Sequence, residues 1–370
     1  MPHLTRRRFL VTAAGLPAVR FAGAEDTTPE WRSKLEEIRI QYKLPALGGA
    51  IVNSSGLQSV AVTGVRKVDS DVAATVDDLW HLGSNTKAMT STLAAVAVEA
   101  GKIDWETTLE QVFRGESGLN RSPLREATLT HFLSHWSGLP ANPIWTEAAR
   151  GGKDLRSQRA KVMEMAIELS DLPGPGEKHL YSNWGYVIAG HMLERVLRLS
   201  WEEQMRKAVF DPLGLTGAGF GGTGTPGKID QPWPHGEDGR PMPKNGPEVD
   251  NLPVLGPAGT VHMSFVDWAK FIADHLAGGN GGGKLLKAAT YERLHTAAQE
   301  GEPYAYGWLA LERSWGGRVL SHSGSNTMNR SVAWLAPEKD FAVLACSNQG
   351  SEECRKALDD AASMLIGEVT

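Results

Sequence analysis

The stretch from His81 to Gly101 constrains this chain most. From Asn85 to Ala100 it holds neither Pro nor Gly, and its second half is Leu, Ala and Val on every side. That is the pattern of a helix enclosed in a core rather than lying on a surface. Gly101 supplies the stop. Ser84 stands at the N-terminus of this helix and Lys87 follows three residues later, so both side chains leave the first turn on one face. A hydroxyl then meets an amine. Carrying an ammonium into a protein interior costs desolvation energy, which lowers its pKa and makes the amine a base near neutral pH. The first-turn amides, which lack partners inside a helix, face the same place and favour developing negative charge. Ser84-x-x-Lys87 therefore reads as a covalent-catalysis site. The competing reading, Ser84 as an N-cap and Lys87 in solvent, meets a helix that offers the lysine no polar face.

Met1 to Ala24 reads as a targeting segment. Thr5-Arg6-Arg7-Arg8-Phe9-Leu10 is a twin-arginine pattern, an apolar run continues to Val19, and Ala22-Gly23-Ala24 offers a small-residue cleavage site. The expectation is export of a folded protein to the periplasm or cell envelope, with the mature chain starting near Glu25. The run is too short to span a bilayer, and no Cys nearby marks a lipid anchor. The formal net charge is -5 at pH 7; the leader's four Arg, unaccompanied by any acid, leave the mature chain near -9. No long basic run is present, which argues against nucleic acid or an anionic membrane surface as a main partner.

Residues 25–370 suffice for one large domain or two intimate ones. Trp31 to Gln41 reads as an amphipathic helix, and Leu47 to Val52 and Leu57 to Thr63 as a hairpin joined by Asn53-Ser54-Ser55-Gly56. Helices are expected at Ser157 to Leu169, Trp184 to Leu197, Trp201 to Val209, Phe265 to Ala277 and Ala288 to Ala298. Strands return at Tyr306 to Leu311, Arg318 to Ser321, Ser331 to Ala336 and Phe341 to Ser347, before a last helix from about Glu352 to Ile366. The fold class implied is α+β: an antiparallel sheet built from both termini (25–80 and 300–370) and flanked by helices, with a mostly helical region (81–299) inserted. Gly221 to Pro257 reads as a long irregular loop, of the kind that is functional or disordered. Cys346 closes a strand and Cys354 opens the last helix; a disulfide stays open, but two separate thiols are the expectation.

Two further motifs gain meaning in this layout. Tyr181 and Asn183 are two residues apart, so in an extended segment they face the same way. Beside Lys87, Tyr181 would lose its proton more easily and act as general base toward Ser84. Alternatively Tyr181 is a core aromatic and Asn183 the N-cap of the next helix. His322-Ser323-Gly324-Ser325 ends a strand, where the Ser325 N-H can face an oxyanion while His322 and Ser323 contact a substrate carboxylate or the tyrosine. In isolation His322 also reads as a structural histidine.

Taken in order, Ser84-x-x-Lys87, Tyr181-x-Asn183 and His322-x-Gly324 resemble the three signature elements of the serine β-lactamase and penicillin-binding protein superfamily, in its class C β-lactamase-like branch. Leu133-Ser134-His135-Trp136-Ser137-Gly138-Leu139-Pro140, Phe210-Asp211-Pro212-Leu213-Gly214-Leu215 and Pro257-Ala258-Gly259-Thr260 resemble its connecting segments. The resemblance implies a β-lactamase/transpeptidase-like fold and an acyl-enzyme on Ser84, with Lys87 and Tyr181 handling the proton. It further implies an oxyanion hole from the backbone N-H groups of Ser84 and Ser325, and substrate binding by Asn183, His322, Ser323 and Gly324. The division of labour between Lys87 and Tyr181 stays open. His322 stands where β-lactamases of this branch carry lysine, whereas D-alanyl-D-alanine carboxypeptidases and many esterases and peptidases of the branch have histidine.

Three functions remain open. The first is an exported serine hydrolase cleaving an ester or a short peptide or amide. The second is a D-alanyl-D-alanine carboxypeptidase or class C-like β-lactamase, and the third a non-catalytic binding or sensor protein on the same fold. Rival chemistries find little support: there is no Gly-x-Ser-x-Gly elbow, no phosphate loop, and no Glu after His131 to complete a zinc helix with His135. No metal or cofactor is expected.

Overall fold

The computed structural model describes residues 29–370, so the targeting-segment reading over residues 1–24 lies outside the described residues. Six antiparallel strands form the main sheet in the order β2-β1-β9-β8-β7-β6. They are β1 Ala46–Asn53, β2 Gly56–Gly64, β6 Leu309–Arg313, β7 Gly317–Ser325, β8 Arg330–Ala336 and β9 Phe341–Ser347. The first hairpin thus docks against the last strand, with Ala50 opposite Leu344. The α+β class, with one antiparallel sheet assembled from the two ends of the chain, is what the structure has.

Central β9 shows why the sheet sits between two layers. Phe341, Val343 and Ala345 point to one face and pack with Leu35, Leu358 and Leu365 of the terminal helices Arg32–Gln41 and Glu352–Gly367. Ala342, Leu344 and Cys346 point to the other and join the core under the helical region. This period-two alternation, apolar on both faces, is what a strand buried on both sides requires. It also separates the cysteines. Cys346 belongs to one layer and Cys354 to the other, and both are buried free thiols.

The region between holds the helix Thr86–Glu99 at its centre, with Leu155–Ile167, Asn183–Leu197 and Phe265–Gly278 around it. Three elements depart from expectation. The helix expected over Trp201 to Val209 is there but runs on to Leu213, with an α segment to Met205, a π turn over Arg206–Phe210 and a last α turn over Asp211–Leu213. The helix from Ala288 ends at Leu294 rather than Ala298, and the strand expected at Tyr306 begins at Leu309. A small second sheet, β3 (Trp80–His81), β4 (Gly219–Phe220) and β5 (Val261–Met263), escapes a periodicity reading because such short strands carry no period.

The Gly221 to Pro257 segment is irregular as far as Leu252 and is held by buried polar side chains. His235 Nδ1 lies 2.9 Å from the carbonyl of Asn348 beyond β9, and Asn348 Nδ2 donates back to Trp233 O at 3.0 Å. At the far end Arg159, fully buried, donates to Glu194 (2.6 Å), to Glu202 (2.5 Å) and to the carbonyls of Pro253 and Val254 at 3.2 Å each. Removing one member of such a cluster leaves buried charge uncompensated, a loss of about 3–5 kcal/mol. Arg159→Ala is expected to lose that much stability in urea unfolding; a loss below about 1 kcal/mol would show that the cluster does not hold the loop.

Candidate active site

Ser84 lies in a single 3-10 turn, Gly83–Asn85, that feeds directly into the buried helix Thr86–Glu99. Its side chain caps nothing, so the N-cap alternative is not what the fold uses. Two glycines set its surroundings. Gly83 has φ +50, and a Cβ there would stand 2.3 Å from Ser325 N; a Cβ on Gly324 would stand 2.0 Å from Leu82 O. The end of β7 can therefore press backbone to backbone against the turn that carries the serine, bringing the Ser325 amide beside it.

Lys87 is completely buried. Its Nζ lies 2.9 Å from Ser84 Oγ, 2.7 Å from Asn183 Oδ1 and 2.8 Å from Ala258 O. Burial holds its pKa well below the usual lysine value. A neutral amine has two protons and one lone pair. In the amine form, Asn183 Oδ1 and Ala258 O, which can only accept, take the two N-H bonds and the lone pair faces the Ser84 hydroxyl, whereas an ammonium donates to all three oxygens.

Asn183 is free for this because Ser182 is the cap of helix Asn183–Leu197, its hydroxyl accepting from Gly185 N. The alternative reading of Asn183 as the cap is thus off by one residue. The Asn183 amide nitrogen donates to Asn142 Oδ1 at 2.9 Å, and Asn142 also receives Trp145 Nε1. Tyr181 stacks over Lys87, Nζ standing 4.9 Å from the ring centre. The residue is 38% exposed, but its hydroxyl end is enclosed beside Ser84, and burial pushes the phenol well above its ordinary value while the Ser84 hydroxyl pulls the other way. Burial thus works against the easy proton loss expected of Tyr181.

His322 turns away from the opening. It is 5% exposed, with Nε2 3.1 Å from Tyr304 Oη and Nδ1 2.7 Å from Ser323 O, in a cluster with Tyr181 and Tyr304. Burial, then the nearby Lys87, brings its pKa down to about 3, so the imidazole is neutral at ordinary pH. Ser323 is exposed on β7. His135, which composition pointed to only as half of a weak metal pair, sits behind Tyr181 instead: its ring centre is 4.3 Å from those of Tyr181 and Tyr304, and Nδ1 accepts from Ser182 N. His131 is taken up in the turn at Thr128. Among the described residues no group of His, Cys, Asp and Glu is arranged to hold a metal ion.

A cavity of 420 Å³ opens over Ser84, walled by Asn142, Trp145, Asn183, Asn251, Leu252, Leu255, Ala258, Gly259, Ser325, Asn326 and Thr327. Asn251, Leu252 and Asn326 come from the irregular loop and from the turn after β7. None of the walls is charged.

A family model described as Beta-lactamase matches residues 31–366. Among curated relatives, penicillin-binding protein 4 of Amycolatopsis lactamdurans is 28% identical over 185 residues, which is 50% of this chain and 47% of that protein. The chain thus spans about half or less of the length of the curated relatives it matches. A class C β-lactamase from Rhodobacter sphaeroides superposes with TM-score 0.71 at 20% identity, covering 90% of this chain and 98% of its own. A D-alanine carboxypeptidase from Burkholderia cenocepacia does so with TM-score 0.71 at 18% identity, over 91% and 97%. At those identities the structures establish the fold.

The buried imidazoles carry a pH signature. His295 and His322 are brought down to about 3, and His135 and His275 lie well below 6.5, all chiefly through burial. Below pH 6.5 the unfolded chain binds protons there that the native state does not, so stability is full above 6.5 and falls as the pH drops toward 3. The urea midpoint should decline steadily from pH 7 to pH 4, with proton uptake on unfolding at pH 5. A flat midpoint would mean that these rings titrate freely in the native state.

Proposed function

The chain belongs to the beta-lactamase family, and from that premise we propose that it is a serine hydrolase working through an acyl-enzyme on Ser84, on esters or amides that are uncharged beside the scissile bond. The observation that carries this is the set of Lys87 contacts. With both N-H bonds taken by carbonyl oxygens, the amine is oriented to receive the Ser84 proton as Oγ attacks the acyl carbon. Tyr181, which keeps its phenol proton, serves as the acid toward the leaving group. The Ser84 and Ser325 amides receive the oxyanion, and the Asn183 amide, already paired with Asn142, holds a substrate amide. Water then releases the acid and regenerates Ser84.

Charge supports the uncharged substrate. A carboxylate next to the scissile bond needs a cation, and the cavity walls supply none: Lys87 is buried beneath, and His322 is neutral and turned inward. The second reading, a D-alanyl-D-alanine carboxypeptidase, draws on the relatives and on the structural neighbour named as penicillin-binding or carboxypeptidase proteins. Intact-mass analysis and turnover with a D-alanyl-D-alanine peptide and its methyl ester separate the two. The ester is expected to turn over at least tenfold faster than the free acid, and Ser84→Ala to lose roughly 10⁴-fold or more. Preference for the free acid would support the carboxypeptidase. Full turnover by Ser84→Ala would end the acyl-enzyme scheme, and a wild type that never acylates would favour a binding or sensor protein.

The twin-arginine pattern supports export to the periplasm or cell envelope as the place of this activity. N-terminal sequencing of the protein from an envelope fraction should begin near Glu25; an intact Met1 there would overturn cleavage.

A further inference from the structure

Three buried side chains from distant parts of the sequence meet beside the nucleophile without touching the reacting atoms. His81 ends β3, two residues before Gly83; Asp250 lies in the irregular loop; Asn326 follows Ser325. His81 is 4% exposed and Asn326 is 2% exposed, and the Asp250 side chain is 1% exposed. His81 Nε2 stands 2.9 Å from Asp250 Oδ2, and Asn326 Nδ2 donates to Asp250 Oδ1 at 2.7 Å.

Every hydrogen bond in this chain has only one permitted direction. Gly83 N-H donates to His81 Nδ1 at 3.1 Å, so in the neutral ring the proton is on Nε2 and points to Asp250. Asn326 Oδ1 accepts from Met328 N at 3.2 Å and from Asn329 N at 2.9 Å, so its amide group cannot be flipped and its N-H₂ faces Asp250. Position 250 must therefore accept on both sides. A carboxylate does this, and an amide does not, whichever way it turns.

The two ends of the chain are the two backbones that must be in register for acyl transfer: the Gly83-Ser84 turn and the Ser325 end of β7. We propose that His81, Asp250 and Asn326 form a direction-locked clamp that sets the spacing of the Ser84 and Ser325 amides, with Asp250 as its positioning residue. The clamp also fixes the cavity, because Asn251 and Leu252 follow Asp250 and Thr327 follows Asn326. The irregular loop is thereby part of the catalytic framework, and its sequence can change the cavity wall while Asp250 keeps the amides in place. The proposal rests on the acyl-enzyme reading above.

The test exploits the locked directions. Asp250→Asn sets two donors face to face at Asn326, and Asn326→Asp sets two carboxylates face to face. The double variant Asp250→Asn/Asn326→Asp restores every bond, since the new amide accepts from His81 and donates to the new carboxylate. Labelling of Ser84 by a fluorophosphonate, followed by intact mass, gives a maximal rate and a half-saturating concentration for each protein, with Ser84→Ala as the blank. Each single variant is expected to lose at least tenfold in maximal rate with less than threefold change in half-saturation, and the double variant to return to within threefold of wild type. Thermal melting of each variant identifies any that fails to fold, and recovery by the double variant decides the question even then. Labelling of Asp250→Asn within twofold of wild type, or a double variant no faster than the singles, overturns the clamp while leaving the acyl-enzyme standing. A wild type that does not label overturns the acyl-enzyme reading, and the clamp with it.

Discussion

A lysine with no exposed surface is the constraint around which this molecule is arranged. Desolvation there favours the amine over the ammonium, and in either form its N-H bonds must find acceptors. It finds them far apart in sequence, on Asn183 and on the backbone of Ala258. Bringing those groups to Lys87 fixes the N-terminus of one helix and the Pro253–Gly259 turns against the first turn of another. The site is thus a consequence of satisfying a buried base, and the serine occupies the single direction left to the lone pair.

The neighbours of that base follow the same rule. Burial, and then the neighbouring Lys87, holds the His322 pKa down, and its ring is bonded to Tyr304 and to its own strand. Tyr181 answers by keeping its proton. The interior behind Ser84 is therefore rich in titratable groups and nearly free of charge.

The sequence made much of this legible, and the failures have physical causes. The buried helix, the terminal hairpin and β9 were readable because apolar periodicity is a local property that burial imposes directly. The Ser84 and Lys87 pairing was readable for the same reason, since three residues on a helix fix a neighbourhood. The cap alternative for Asn183 could not be decided from sequence because Ser182 and Asn183 are both good caps, and only the Lys87 contact shows which one the fold releases for other work. The inward turn of His322 was hidden, because a strand end gives the face of a residue but not what lies above it. The His81, Asp250 and Asn326 chain left no pattern at all: it joins single residues from a two-residue strand, an irregular loop and a turn.

That last difference bears on how one fold comes to serve different substrates. The groups to which the proposed acyl transfer is assigned are set by local helix geometry and by acceptors for one amine. Charge in the cavity is set elsewhere, by side chains on the loop before Pro253, on the turn after β7 and on the segment of Asn142 and Trp145. Here those segments offer amides and hydrocarbon. A carboxylate entering such a cavity would surrender its hydration with no cation in return, whereas an ester or amide gives up little and can pair with Asn142 and Asn183. On the proposed reading, the covalent chemistry and the charge of the cavity are set largely by different segments, with Asn183 serving both and the Asp250 clamp joining the loop to the serine turn.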